Sequence, residues 1–166
     1  MITLLAKLLK ALNSDYSPSQ IAVAICLGMI MGLTPLSAVH NVLILFLVLI
    51  VRVNVGIFLV SLTLFSGIAY LLDPIAEVIG HQLLTSAVLE KMWTAMYQVN
   101  LWRLLQFNNT LVLGSFIVAV ILSPGLYWMA KTLVVQYRQR FMSWVGKHHL
   151  SMWLKGSKLM AAYRQL

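Results

Sequence analysis

Two long apolar segments without a charged side chain constrain what this chain can fold into. Residues 55–72 form an uncharged run of 18, and residues 111–130 form a run of 20. As helices they are about 27 Å and 30 Å long, which matches the hydrocarbon core of a bilayer. A soluble domain of 166 residues cannot bury a composition that is 61% hydrophobic and 10% charged. The sequence therefore predicts an all-α integral membrane protein and argues against a water-soluble enzyme or a disordered chain.

A third apolar region is divided in two by Thr34-Pro35. The part before the proline, residues 21–33, is about 20 Å long as a helix, too short to cross a bilayer. Ser17-Pro18-Ser19-Gln20 has the pattern of a helix start. We predict a re-entrant helical hairpin over residues 17–54, whose bend must be buried in protein or line a wet cavity. A single kinked crossing over residues 20–51, about 48 Å long, is the alternative.

The distribution of charge predicts how these segments are oriented. Three parts are predicted: an N-terminal amphipathic helix at 1–16, a membrane domain at 17–130, and a basic amphipathic tail at 131–166. The membrane domain consists of the hairpin at 17–54, a transmembrane helix at 55–72, a periplasmic amphipathic segment at 73–110, and a second transmembrane helix at 111–130. This layout places Lys7, Lys10, Arg52 and the tail on one side of the membrane. Cytoplasmic segments are enriched in Lys and Arg, so both termini are expected in the cytoplasm.

Both ends of the chain are amphipathic in pattern. Leucines recur at helical spacing in residues 1–16, which predicts a helix that lies in the membrane interface or packs on the protein's own core. Seven of the 12 Lys and Arg residues lie in the tail: Lys131, Arg138, Arg140, Lys147, Lys155, Lys158 and Arg164. The tail is expected to bind the anionic inner leaflet or a partner subunit. Because it follows a long apolar segment, nucleic acid is not expected as a partner.

The periplasmic segment is predicted to contain one or two amphipathic helices that rest on the outer leaflet or on a partner. Leu89, Trp93 and Met96 recur at helical spacing. The residues expected to contact a partner or the periplasmic surface are Trp93, Trp102, Phe107 and Asn108. Asp73 is expected to cap a new helix that begins at Pro74. The first transmembrane helix is therefore expected to end at residue 72.

Five polar residues, at the division between the two apolar parts, within the second part and just after it, are candidates for binding. They are Thr34, His40, Asn41, Arg52 and Asn54. Polar groups at membrane depth need partners and often mark binding positions, and arginine is well suited to holding a phosphate. Together these residues are predicted to form a patch, open to the cytoplasmic leaflet, that contacts a lipid headgroup or an anionic substrate. The alternative is that Arg52 reaches water at the interface and His40 bonds to a backbone carbonyl.

Small residues in the first apolar part indicate close helix packing. Gly28 and Gly32 form a GxxxG pattern, which lets two helix backbones approach within the chain or in a dimer, and Pro35 shapes the bend. Gly56 and Gly67 are expected to serve similar packing.

No catalytic set can be assembled from the spacing of the residues. Cys26 is the only cysteine, and Glu77 with His81 offers too few ligands for a metal. No nucleophile–base pair, phosphate-binding loop or dinucleotide fingerprint is present. We therefore predict a protein that is not an enzyme, with no catalytic residues, no metal and no cofactor.

The order of several short motifs resembles a bacterial membrane domain of unknown function. The residues that carry the resemblance are Gly28, Gly32, Pro35, His40, Arg52 and Asn54. Leu72-Asp73-Pro74 and Phe107-Asn108-Asn109-Thr110 are similar to a narrower branch of small stand-alone members. The similarity covers roughly residues 1–140. It implies a multi-pass inner-membrane protein of bacteria with outer membranes, encoded beside a large envelope protein.

Two functions of different classes follow as expectations. The first is a non-enzymatic inner-membrane subunit that anchors a large envelope-spanning partner and delivers membrane phospholipid to it for transport toward the outer membrane. The second is a small channel or transporter that works as a homo-oligomer, since its few helices cannot enclose a pathway alone. The sequence does not decide whether the chain forms a homo-oligomer.

Overall fold

The computed structural model describes residues 16–147, with side chains as far as Arg140. The predicted helix at 1–16, apart from Tyr16, and the tail beyond residue 147 lie outside the described residues. Every regular element of the described part is a helix. The six helices are α1 (Pro18–Leu33), α2 (His40–Ile50), α3 (Val55–Leu84), α4 (Glu90–Tyr97), α5 (Asn100–Leu104) and α6 (Thr110–Lys147). The prediction of an all-helical chain is confirmed for these residues.

Helix α1 begins where the sequence predicts. The Ser17 side chain accepts a hydrogen bond from the Gln20 backbone N–H, and the Gln20 side chain accepts one from the Ser17 backbone N–H, so both halves of a capping box are present. The helix ends at Thr34, whose extended backbone conformation follows from the proline after it. Residues 20–51 are thus two separate helices.

Helix α2 turns back along α1. Ile44 and Val48 of α2 share one buried cluster with Ile21 and Ala24, which lie near the start of α1. Val53, just after α2, belongs to the same cluster. Helices α1 and α2 therefore form a helical hairpin whose two ends meet again at the start of α3.

Helix α1 lies between α3 and α6. A Cβ at Gly28 would lie 2.7 Å from the Phe58 carbonyl oxygen, and one at Gly32 would lie 2.8 Å from the Leu62 carbonyl oxygen, so α1 and α3 run in the same direction in close contact. The GxxxG pattern is therefore used for packing within the chain. Gly67 has nothing within 4 Å of its Cβ position, so its predicted packing role is wrong.

Helix α3 continues through Asp73 and Pro74 to Leu84, so the prediction that Asp73 caps a new helix is wrong. Proline is tolerated in apolar helices when neighbouring helices support them. Here Gly80 lies against the Thr110 backbone, and Gly114 lies against the Ala76 backbone, which holds the second half of α3 against α6. This antiparallel contact, not local propensity, extends the helix.

Two helices are long and apolar enough to cross a membrane: Val55–Leu84 and Thr110–Arg140. Only 17% and 22% of their most apolar windows are buried inside the protein, so most residues of these windows keep exposed surface. Helix α6 starts at residue 110, where the Asn109 side chain accepts bonds from the Leu111 and Val112 N–H groups. It continues without a break to Lys147, so the first part of the predicted tail extends the same helix as the second predicted transmembrane segment.

Candidate functional site

The bend of the hairpin is held by two of the predicted polar residues. Thr34 and Asn41 are both buried, at 3% and 2% exposure. The Thr34 hydroxyl lies 2.9 Å from the Ile30 carbonyl oxygen and 3.1 Å from Asn41 Oδ1. Asn41 Nδ2 donates to the Pro35 carbonyl oxygen at 2.9 Å. The Thr34 hydroxyl also lies 3.3 Å from the Met31 carbonyl oxygen, the group that Pro35 leaves without an N–H donor. Thr34 and Asn41 therefore hold the turn in place and have almost no exposed surface for a headgroup.

His40 is the polar residue at the bend that keeps an unused atom. Its ring packs edge-on against Phe116 of α6, with ring centroids 5.1 Å apart. Its Nε2 atom is buried and has no hydrogen-bond partner. The alternative interpretation, a histidine bonded to a backbone carbonyl, is therefore not met at this nitrogen. An unsatisfied nitrogen in apolar surroundings is costly, which makes this position a candidate for ligand contact after a small ring rotation.

An apolar cavity of about 260 Å³ adjoins His40, and we call it the tip cavity. Its lining comes from three parts of the chain: His40 and Leu43 of α2, the α4–α5 region, and Val112, Leu113 and Phe116 of α6. Nearly all the lining atoms are carbon. The cavity can therefore hold a hydrocarbon group, with His40 as its polar neighbour.

Arg52 and Asn54 lie at the other end of α2. Ten helical residues separate this end from the bend, a distance of about 15 Å. Arg52 is exposed and has a left-handed backbone with φ of 51°, in the turn between α2 and α3. The Asn54 side chain caps α3 by accepting from the Ile57 N–H at 3.0 Å. The prediction that Thr34, His40, Asn41, Arg52 and Asn54 form one patch is therefore wrong, because α2 holds them apart.

The predicted surface residues of the segment after α3 divide into two pairs. Trp93 stacks on Phe107 with ring centroids 5.8 Å apart, and its Nε1 donates to the Leu83 carbonyl oxygen at 2.8 Å. Phe107 is buried, so this pair folds α4 back onto the end of α3 and does not form a free contact surface. Trp102, at 42% exposure, and Asn108 are exposed, and their contact with a partner or the periplasmic surface stays a prediction.

Sequence reasoning did not anticipate Phe116 or the Gly80 and Gly114 contact. Phe116 and Gly114 lie in a uniformly apolar run, and Gly80 lies between Glu77 and His81, where no spacing marks it as a contact. Among the described residues, no three His, Cys, Asp or Glu side chains are grouped closely enough to hold a metal ion.

Comparison with known proteins gives a family but no activity. Residues 3–143 match the family model described as an uncharacterized protein conserved in bacteria, DUF2062. An uncharacterized protein of Treponema pallidum (strain Nichols) is 27% identical over 138 residues, which cover 83% of this chain and 85% of that protein. No solved structure matches. Since the family model covers most of the chain, the protein belongs to the DUF2062 family of bacterial proteins.

Proposed function

We propose that this protein is a non-enzymatic subunit of the bacterial inner membrane that anchors a large envelope-spanning partner and delivers phospholipid to it. The observation that carries the proposal is the tip cavity, which joins the bend of the hairpin to the α4–α5 region. A hydrocarbon-lined space between a membrane segment and a surface segment suits a lipid that passes from one to the other.

The apolar surface supports the membrane part of the proposal. Outside the buried face that contains Ile44 and Val48, helix α2 exposes large apolar side chains, such as Leu49 at 71% and Ile50 at 73%. Contiguous apolar surface of this kind is unstable in water and matches lipid. Gly32 packs against residues up to Ser66, about 17 Å along α3 from its start, so a bilayer that covers the first half of α3 also covers the bend. In this placement the hairpin is re-entrant.

Charge supports the orientation. Arg52, Arg138 and Arg140 lie at the end where the hairpin opens, as the Arg138 bond to the Tyr16 carbonyl oxygen indicates. The acidic residues that the structure describes, Asp73, Glu77 and Glu90, lie beyond the bend. The positive-inside rule then assigns the open end of the hairpin to the cytoplasm and α4–α5 to the periplasm.

Helices α4 and α5 are the proposed contact with the partner. Leu101, Trp102 and Leu104 of α5 are 63%, 42% and 59% exposed. Exposed aromatic and leucine side chains on a short helix are typical of docking sites. The tip cavity lies directly beside this surface, because Trp102 also lines the cavity.

The experiment is purification of the tagged full-length chain from its own host in mild detergent, with mass spectrometry of the recovered proteins and lipids. We expect one large envelope protein in defined ratio and bound phospholipid. The variant Leu43→Trp, which fills the tip cavity, should lower lipid transfer to that partner, whereas Leu49→Trp on the same helix should not. Recovery of the chain alone and free of lipid would contradict the proposal.

The homo-oligomeric channel was suggested by the GxxxG pattern and by His40, and the structure uses both for packing within one chain. Gly28 and Gly32 pack against α3, and His40 packs against Phe116 of the same chain. A defined homo-oligomer that conducts ions in liposomes remains the result that would restore it.

A further inference from the structure

A second pocket adjoins the tip cavity at the stacked rings of Trp93 and Phe107. We call it the amide pocket, and its volume is about 260 Å³. Trp93 and Phe107 line both spaces, and the two spaces share no other lining residue. This pair of rings is therefore the boundary between the tip cavity and the amide pocket. The polar side chains of the amide pocket are those of Thr94, Tyr97, Gln98 and Asn108.

The boundary between the two spaces is held in place from both sides. The Trp93 Nε1 atom donates to the Leu83 carbonyl oxygen at 2.8 Å, and Phe107 is buried. Gln106, directly before Phe107, has a left-handed backbone with φ of 57°. Such a conformation is uncommon outside glycine and persists where the surrounding structure requires it. After this residue Phe107 enters the interior and Asn108 stays at the surface, so the wall of the amide pocket is preformed.

The amide pocket differs from the tip cavity in its uncommitted hydrogen-bonding groups. Thr94, Gln98 and Asn108 are exposed, and their side chains make no hydrogen bond within the part of the chain that the structure describes. A hydroxyl and two amides together offer several donors and several acceptors. The ring of Tyr97 lies beside them and has the Arg103 guanidinium over its face, 5.6 Å from the ring centroid. The pocket therefore combines aromatic rings with free neutral polar groups.

The charges around the amide pocket do not favour an ionic ligand. Among the described residues, no charged side chain lines it. The charged residues that flank its lining in sequence are of mixed sign: Glu90, Lys91 and Arg103. The groups that best match neutral amides and hydroxyls are the hydroxyls of a polyol, which both donate and accept. The negative face of an aromatic ring also attracts the weakly positive C–H groups of such a molecule.

We infer that the amide pocket binds a hydroxyl-bearing lipid headgroup, the glycerol of a phospholipid or the sugar of a glycolipid, while the hydrocarbon of the same lipid lies in the tip cavity. The hydrocarbon part of this inference rests on the proposed function. The headgroup part is new, since it assigns to Thr94, Gln98 and Asn108 the choice of the lipid that the protein holds. Because lipid tails differ little in polarity, a selective site must read the headgroup.

The test uses purified full-length protein in phosphatidylcholine vesicles that contain a small fraction of a lipid probe with a photoactivatable diazirine in one acyl chain. Three headgroups are compared: phosphatidylglycerol, a glucosyl diacylglycerol, and phosphatidylmethanol, which has the charge of phosphatidylglycerol but no hydroxyl group. At least one of the first two should label residues 93–116 about 20-fold more than phosphatidylmethanol, the effect of two neutral hydrogen bonds. The stronger of the two identifies the headgroup as glycerol or sugar.

Two variants remove the amides while nearly keeping the side-chain volume. Gln98→Met and Asn108→Leu should each lower the headgroup preference about fivefold, the effect of one neutral hydrogen bond. Labelling by phosphatidylmethanol should stay unchanged in both, because the tip cavity is intact. The matched control Gln82→Met removes an exposed amide of α3 that lines neither space and should keep the full preference. If a variant lowers labelling by all three probes, Thr94→Val, which removes only a hydroxyl, decides in its place.

Several results would overturn the inference. Equal labelling by the three probes, or an unchanged preference in the amide variants, would show that the pocket does not read the headgroup. Labelling spread evenly over all exposed apolar faces would remove the tip cavity as the hydrocarbon site as well. Headgroup preference without lipid transfer to a partner would contradict the proposed delivery but leave the amide pocket standing. Transfer with equal labelling by the three probes would do the reverse.

Discussion

The two arms of the hairpin are both apolar, yet they have opposite surroundings. Eight of the 16 residues of α1 are buried, against three of the 11 residues of α2. Helix α1 contains Gly28, Gly32 and two alanines, whereas α2 after Asn41 consists only of large aliphatic and aromatic residues. In the membrane placement proposed above, hydrophobicity does not select the buried helix, and small side chains that let backbones approach do. Helix α1, which contains the glycines, therefore packs in the core, and helix α2, which contains none, lies at the surface.

The largest effect is expected from filling a glycine contact of the buried arm. Gly28→Leu places a side chain where even a Cβ would lie 2.7 Å from the Phe58 carbonyl oxygen and from Ser61 Cβ. Since backbone must move, we expect a loss of about 3 kcal/mol or more in the free energy of unfolding. Thermal unfolding of the purified protein in detergent measures it. Gly67→Leu, with nothing within 4 Å, is the control, and equal losses in both variants would refute the packing explanation.

A smaller effect is expected at the bend that separates the arms. Asn41→Ala removes the donor to the Pro35 carbonyl oxygen and the acceptor of the Thr34 hydroxyl. The Thr34 hydroxyl keeps the Ile30 carbonyl oxygen as an acceptor, and the Pro35 carbonyl oxygen keeps the Ala38 N–H as a donor. The net loss of the two side-chain bonds should therefore cost about 1–2 kcal/mol, measured as a lower unfolding temperature. Ser37→Ala, an exposed residue in the same turn, should have little effect. Similar melting of the two variants would show that the arms pair without this bond network.

The smallest effect is expected on the outer face of α2. Leu49→Ala removes a side chain that is 71% exposed, so stability in detergent should change by no more than about 0.5 kcal/mol. Val48→Ala, one residue away but 4% exposed, should cost about 1–2 kcal/mol. If Leu49→Ala is as destabilising as Val48→Ala, α2 is packed on both faces, and the contrast between the arms is wrong.

Local signals predicted the elements well where short-range chemistry decides them. The start of α1 follows from Ser17, Pro18 and Gln20, and the break after Leu33 follows from Pro35. The same reasoning failed at Pro74, because a contact with α6 some 35 residues away carries the helix through. The same reasoning also failed for the predicted five-residue polar patch. Helix α2 separates the residues at the bend, such as His40, from Arg52 and Asn54 at its other end.

The sequence by itself determined that this chain is helical, that it carries two segments long enough to cross a bilayer, and where its first helix starts and breaks. Caps, prolines and uncharged runs act within a few residues, so they can be read in order along the chain. Only the tertiary structure decided which apolar arm is buried, which glycines make close contacts, and where the tip cavity lies. Those outcomes depend on shape complementarity between distant segments of nearly equal hydrophobicity, a quantity that no linear pattern records.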